Sequence, residues 1–241
     1  MALTSATALR CLGFPTERLA RLSAASGHPV WHPGDASGFI GARVIYLLGH
    51  AWEDQVAEVF AVPNSAWVEV GSLDDQAVLE LIRRADDAEF FASFTTGTAN
   101  RFDVSGVFLG AIASRRTLSD TCRENVELAL HEALCNALLH GNLQMDGIGD
   151  LSVDALEQFS SNLMRRMSDP DFANRRIDVM CSFDEASVTF DVVDQGKGFT
   201  PKPKNKTEAK ACGRGFELIA VSCQAFHLLD GGRRISMSFP L

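Results

Sequence analysis

In the stretch HEALCNALLHGN, His131 to Asn142, polar residues recur every four positions: Glu132, Asn136 and His140. Residues four apart stack on one face of a helix, so the three form a polar stripe on an otherwise apolar segment. A carboxylate and an amide side by side are groups that handle protons and hard cations. Ala129 and Ala133 border the stripe and leave room beside it. The segment opens like the zinc-protease pattern HExxH, but Cys135 stands where the second histidine is needed, so that ligand geometry fails.

Two glycine-bearing stretches follow. VVDQGKGF sets Asp194 at the end of an apolar strand with Gly196 and Gly198 after it, and CGRGFELI sets Gly213, Arg214 and Gly215 at the start of a helix. Neither is a dinucleotide fingerprint, since the first has no helix directly behind it and the second lacks a third glycine; a GxxxxGK[ST] loop is absent. Between them lies a loop rich in Pro, Gly and polar residues, without hydrophobic period, and all five lysines of the chain fall between Lys197 and Lys210. The other basic residues are arginines spread along the chain. His28 and His32 flank Pro29 with no acidic or cysteine neighbour in sequence, which argues against a metal site there.

Stepping along the elements, residues 1–98 read as a small α/β domain: ERLARLSAA as a helix, ARVIYLLGH as a strand, then strand, turn, helix and strand through AWVEVGSLDDQAVLELIRRADDAEFF, with Ser72 as the helix N-cap. TTGTAN, 95–100, is the expected boundary. Residues 99–241 read as α+β, with helices on one face of a mixed sheet. A helix covers RFDVSGVFLGAIASRR, a second runs from a Ser119 or Asp120 cap through Leu139, and a third covers DALEQFSSNLMRRM. RIDVMCSF and ASVTFDVVD are adjacent strands, GFELIAVSCQAF is a helix, and HLLDGGRRISMSF is a hairpin turning at Asp230-Gly231-Gly232. Gly141 is expected to cap the second helix.

In order, ExxxN with HGN behind it, DxGxGF, a polar loop and GxGxxLI resemble the N box and the two glycine boxes of the Bergerat-fold (GHKL) ATPases, the superfamily of DNA gyrase and the histidine kinases. The resemblance covers roughly residues 101–241. LALHEALCNALLHGN is most similar to the N box of the bacterial anti-sigma-factor serine/threonine kinases, which also have a short lid; Phe216 departs from the leucine usual there. The resemblance implies ATP and Mg²⁺ as ligands. It makes Glu132 the general base, Asn136 the Mg²⁺ ligand and Asp194 the acceptor for the adenine amino group. Gly196 and Gly198 would let backbone approach the base. Gly213, Arg214 and Gly215 would face the phosphates, with Arg214 adding charge. The lysine loop becomes the ATP lid, with Lys197 and Lys202 as nucleotide contacts. His140 and Asn142 lie within the same box, as phosphate contacts or as residues that shape the turn.

Three uses of ATP follow from the resemblance: a serine/threonine kinase acting on a small regulatory partner and a sigma factor, a non-catalytic ATP-dependent binding module, or a histidine kinase catalytic domain. No helical pair with a phospho-acceptor histidine precedes the boxes, which sets the third behind the others. A homodimer is an expectation of the family alone. The first domain faintly resembles the last third of a receiver domain, yet VIYLLGH has no aspartate at its end and FFASF supplies no lysine, so it would be a pseudo-receiver.

The bulk numbers limit the partners. Net charge is −9, which disfavours free nucleic acid and anionic membranes as general partners. Hydrophobic residues make up 46% and charged residues 22%, an ordinary globular composition. No apolar run approaches membrane-spanning length, no signal-peptide layout is visible, and the six cysteines form no CxxC pair. The expected location is the cytoplasm, with reduced cysteines.

Overall fold

A strand outside the sequence reading, β1 (Thr7–Leu12), begins the part of the chain that the computed structural model describes. The described residues are 7–32, 43–49, 52–61, 64–147, 152–199 and 214–241. They divide into two compact units, Met1–Ser93 with Gly110–Arg116, and Phe94–Leu109 with Thr117–Leu241.

In the first unit β1 is followed by α1 (Thr16–Ser26), β2 (Arg43–Leu48), a 3₁₀ turn at Trp52–Gln55, α2 (Val56–Val59), β3 (Asn64–Glu69), α3 (Asp75–Asp86) and β4 (Phe90–Thr95). The four strands lie parallel in chain order. Val30 bridges Leu9 in parallel on the other side of β1. Chain order therefore reverses at β1, the arrangement of a doubly wound sheet. Five of six residues of β2 are buried, as a strand covered on both faces requires.

α1 and α3 pack side by side, joined by Arg18 and Arg21 to Asp75 at 2.6 and 3.2 Å. The cap of α3 is Asp74, which accepts from the Ala77 N–H, and not Ser72. Ser72 sits inside the turn closed by the Leu73 N–H on the Val70 carbonyl. His28 has an acidic partner after all: Nε2 lies 2.8 Å from Asp86 at the end of α3, a residue 58 positions away that the local sequence does not reveal.

The stretch 95–100, next to the division between the units at Ser93, forms a short helix, α4 (Thr96–Arg101), capped by Thr95 accepting from the Thr98 N–H. Then come α5 (Val104–Ala113), α6 (Asp120–Cys135) with Ser119 as its cap, α7 (Val153–Met167) and α8 (Pro170–Ala173). The last elements are β5 (Arg176–Phe183), β6 (Ser187–Asp194), α9 (Arg214–Ser222), β7 (Ala225–Leu229) and β8 (Arg234–Pro240). These strands pair antiparallel in the order β5-β6-β8-β7. The fold is α+β with parallel and antiparallel strands, as the pattern of elements predicts.

Alternation along β6 and β8 buries Val188, Phe190 and Val192 with Ile235, Met237 and Phe239. Val126, Leu130 and Ala133 of α6 and Ile219 of α9 complete this core, so helices form one layer and the sheet the other. Two expected helices are shorter than their periodicity suggests. α6 ends at Cys135, and Asn136–Asn142 widens into a π-helical turn. α9 ends at Ser222, because the Gln224 N–H donates to the Ser238 carbonyl and starts the chain along β8 as β7.

Candidate functional site

Glu132 and Asn136 stand where α6 passes into the π-helical turn, the kind of widened turn often found at functional sites. Both side chains are partly exposed. The first turn of α9 comes against them at Gly215. A Cβ there would lie 2.9 Å from Glu132 Oε2 and 3.3 Å from Asn136 Nδ2, so a larger residue would make these side-chain ends give way. The Asn136 amide nitrogen is buried and has no hydrogen-bond partner among the described residues. Rotating the amide by a half turn puts Oδ1 in the same place, so the orphan position suits either a donor or an acceptor. An unsatisfied buried amide is costly, and its presence beside a carboxylate and a helix N-terminus marks a place for a ligand.

Asp194 ends β6 at the other side of the site. Its Oδ1 accepts from the Gly196 N–H at 2.7 Å, and its own N–H donates to the Arg233 carbonyl. Burial pushes its carboxyl above the usual carboxylate range, opposed by the Gly196 hydrogen bond and by the charges of Arg233 and Arg175. Gly141 packs directly on it, since a Cβ would fall 2.5 Å from the carboxylate carbon. Gly141 is thus not a helix cap. It lies inside the π-helical turn, without positive φ, and is small so that the turn can touch Asp194. Gly196 meets the Gly141 carbonyl in the same manner, and Gly198 turns with φ of 80° against Gly231.

Of the two roles expected for Asn142, phosphate contact or shaping the turn, its surroundings fit the second. It is fully buried, and its Nδ2 donates to Thr96 Oγ1 and to the Arg176 carbonyl, both at 2.9 Å. Its Oδ1 accepts from the Gln195 N–H at 2.7 Å. It ties α4, β5 and the segment after Asp194 together. His140 Nδ1 donates to the Met145 carbonyl at 2.8 Å, which folds the chain after the π-helical turn. Lys197 is exposed. Lys202, Gly213, Cys212 and the Arg214 side chain lie outside the described residues; the remaining five cysteines form no disulfide.

The structure adds groups that spacing did not single out. Arg175 donates to the Asn142 carbonyl at 2.6 Å and lies over the Phe172 ring. Arg233, whose Nε donates to the Asp230 carbonyl, acts on Asp194 through its charge, and Gln195 Oε1 accepts from the Arg176 N–H. The paired arginines in ANRR and GGRR were the available signal, but nothing local connects either pair to Asp194.

The two ends of this site are therefore Asp194 with its packed glycines and Glu132 with Asn136 at the start of α9. Among the described residues no helix is long and apolar enough to cross a membrane. No curated protein matches the chain. The model of the histidine kinase-like ATPase domain matches residues 103–239, more than half of the chain and all of the site just described. A carboxylate at a strand end, an amide and a carboxylate on the preceding helix, and a glycine-opened helix facing them agree with that match: the chain belongs to the histidine kinase-like ATPase domain family, and its second unit is an ATP-binding domain.

Proposed function

We propose that this protein is an anti-sigma-factor-type serine/threonine kinase, using Mg²⁺-bound ATP to phosphorylate a small protein partner and so regulate bacterial transcription or stress signalling. The observation that carries the reading is the meeting of Glu132, the unpartnered Asn136 amide and Gly215 at one point.

The residues fit the metal. Among the described residues no cluster of three His, Cys, Asp or Glu could hold an ion alone. One amide oxygen suits Mg²⁺, which keeps several waters and takes phosphate oxygens as its other ligands. When bound, Mg²⁺ would neutralise charge developing on the phosphates. Asn136 would hold it. Asp194 would accept from the adenine amino group, a donor that guanine lacks at that position. The N–H groups opening α9 would face the phosphates. Glu132 would take the proton of the partner's hydroxyl as its oxygen bonds to the γ-phosphorus and the bond to the bridging oxygen breaks, leaving ADP.

The first unit serves as an interaction domain, a receiver-like fold without receiver chemistry. At its switch point the Gly49 N–H donates to the Leu12 carbonyl, and Gly13 and Gly49 pack backbone on backbone, with no carboxylate at the end of β2. Free thiols in the described cysteines suit a reducing, cytoplasmic setting.

The test is capture of partners with ATP and Mg²⁺, followed by phosphotransfer assays with Glu132→Gln. Phosphotransfer should fall at least about a hundredfold with ATP affinity kept within about twofold. Unchanged transfer overturns the kinase reading. ATP-dependent capture without any phosphorylated product, equal in both proteins, points to the binding module instead.

A further inference from the structure

We infer that the stacked rings of Phe199 and Phe216 are positioning residues for the phosphate end of the nucleotide site, a statement that rests on the ATP-binding reading of that site. The rings lie 5.3 Å apart between centroids and 13° from parallel, an offset stack. They come from opposite sides of residues 200–213: Phe199 is the last described residue before them, and Phe216 is in the first turn of α9 after them.

Phe199 is itself anchored. Its N–H donates to the Gly231 carbonyl at 3.1 Å, and Gly232, with φ of 85°, packs so closely that any Cβ would overlap the Phe199 backbone. The β7–β8 turn therefore fixes Phe199, the ring stack fixes Phe216, and Phe216 adjoins Gly215. Gly215 in turn is the residue set against Glu132 and Asn136. The free N–H groups of a helix start bind an anion only when aimed at it, and the stack ties that aim to the hairpin. Phe199 remains 47% exposed, which is much apolar ring to leave in water if packing were its only service.

Asp194 is held to the same hairpin by its own N–H on the Arg233 carbonyl and takes no part in the ring stack. The stack should therefore matter for ATP and not for adenosine. In the full chain, Phe199→Ala and Phe216→Ala should each weaken ATP binding by about fivefold, measured calorimetrically. Adenosine binding, followed by saturation-transfer NMR, should stay within about twofold. The double variant should lose no more than the worse single, because both remove one interaction. Phe216→Leu, which keeps apolar contact without a ring face, should fall between wild type and Phe216→Ala. Losses that are equal for ATP and adenosine, or that add in the double variant, overturn the positioning role. A wild-type protein that binds neither ligand overturns the ATP reading itself, and the two failures are thereby distinguished.

Discussion

Asn136 and Asn142 are the same residue type at the two ends of one π-helical turn, and their surroundings could hardly differ more. Asn142 is fully buried with its amide engaged in three hydrogen bonds to three different segments. Asn136 has a buried amide nitrogen with no partner among the described residues. The first arrangement is what a fold needs: every buried polar atom answered, and distant segments tied together. The second is what a binding site needs: a polar group held in place and left for something else to satisfy. The contrast extends to the two ends of the site, since Asp194 is wrapped by Gly141 and Gly196 while the ends of the Glu132 and Asn136 side chains stand free against Gly215. The base end is built in advance; the phosphate end is completed by its ligand.

The largest effect should come from Asn142→Ala. It strands the Gln195 N–H and the Arg176 carbonyl, and denaturant unfolding should show a loss of about 3 kcal/mol. A stability change below about 1 kcal/mol, with ATP affinity lost instead, would mean that Asn142 is a ligand contact and that the contrast is false. Asp194→Asn comes next. The Gly196 N–H holds Oδ1, so the new amide nitrogen would point where the second carboxylate oxygen stood and confront the adenine amino group donor to donor. ATP affinity should drop by about thirtyfold in calorimetry while stability at neutral pH holds or rises, because a buried charge has been removed. Asn136→Ala should leave stability within about 0.5 kcal/mol, since no protein hydrogen bond is lost, yet cut Mg²⁺-dependent ATP affinity by about tenfold. Loss of stability without loss of affinity in that variant would remove Asn136 from the site.

Much of this was readable from residue order. The helix carrying Glu132, the Ser119 cap, the strand ending in Asp194 and the hairpin at Asp230–Gly232 all depend on local period and turn chemistry, and local signals predict them. The difference between Asn136 and Asn142 was not readable, because it is made by Thr96, Arg176 and Gln195, which come from elsewhere in the chain. Nor was the π-helical turn, whose wider bonding has no residue pattern of its own. Only the start of β7 was hidden, because Ala225 and Phe226 continue the apolar run of α9 and pairing with β8 makes them strand. Gly141 looked like a cap for the same reason: its real neighbour, Asp194, is 53 residues on, and close approach leaves no mark in spacing.

Acidification separates binding from stability at a single group and gives the smallest of these effects. Burial raises the Asp194 pKa above its unfolded value, so the folded protein holds that proton more tightly than the unfolded chain does. Its contribution to stability is therefore fully present below the unfolded pKa and is lost as pH rises through the folded pKa. On the proposed reading adenine recognition would run the other way, since the ionised carboxylate accepts more strongly from the amino group than the neutral acid does. As pH is lowered through the raised pKa, ATP affinity should fall before an ordinary carboxylate would begin to titrate, while this group's contribution to stability grows. Calorimetric ATP titrations and denaturant melts over the same pH series read both slopes. Asp194→Asn should abolish the two together; a wild-type affinity that tracks stability in the same direction would mean that Asp194 acts as one more element of the packed end and does not read the base.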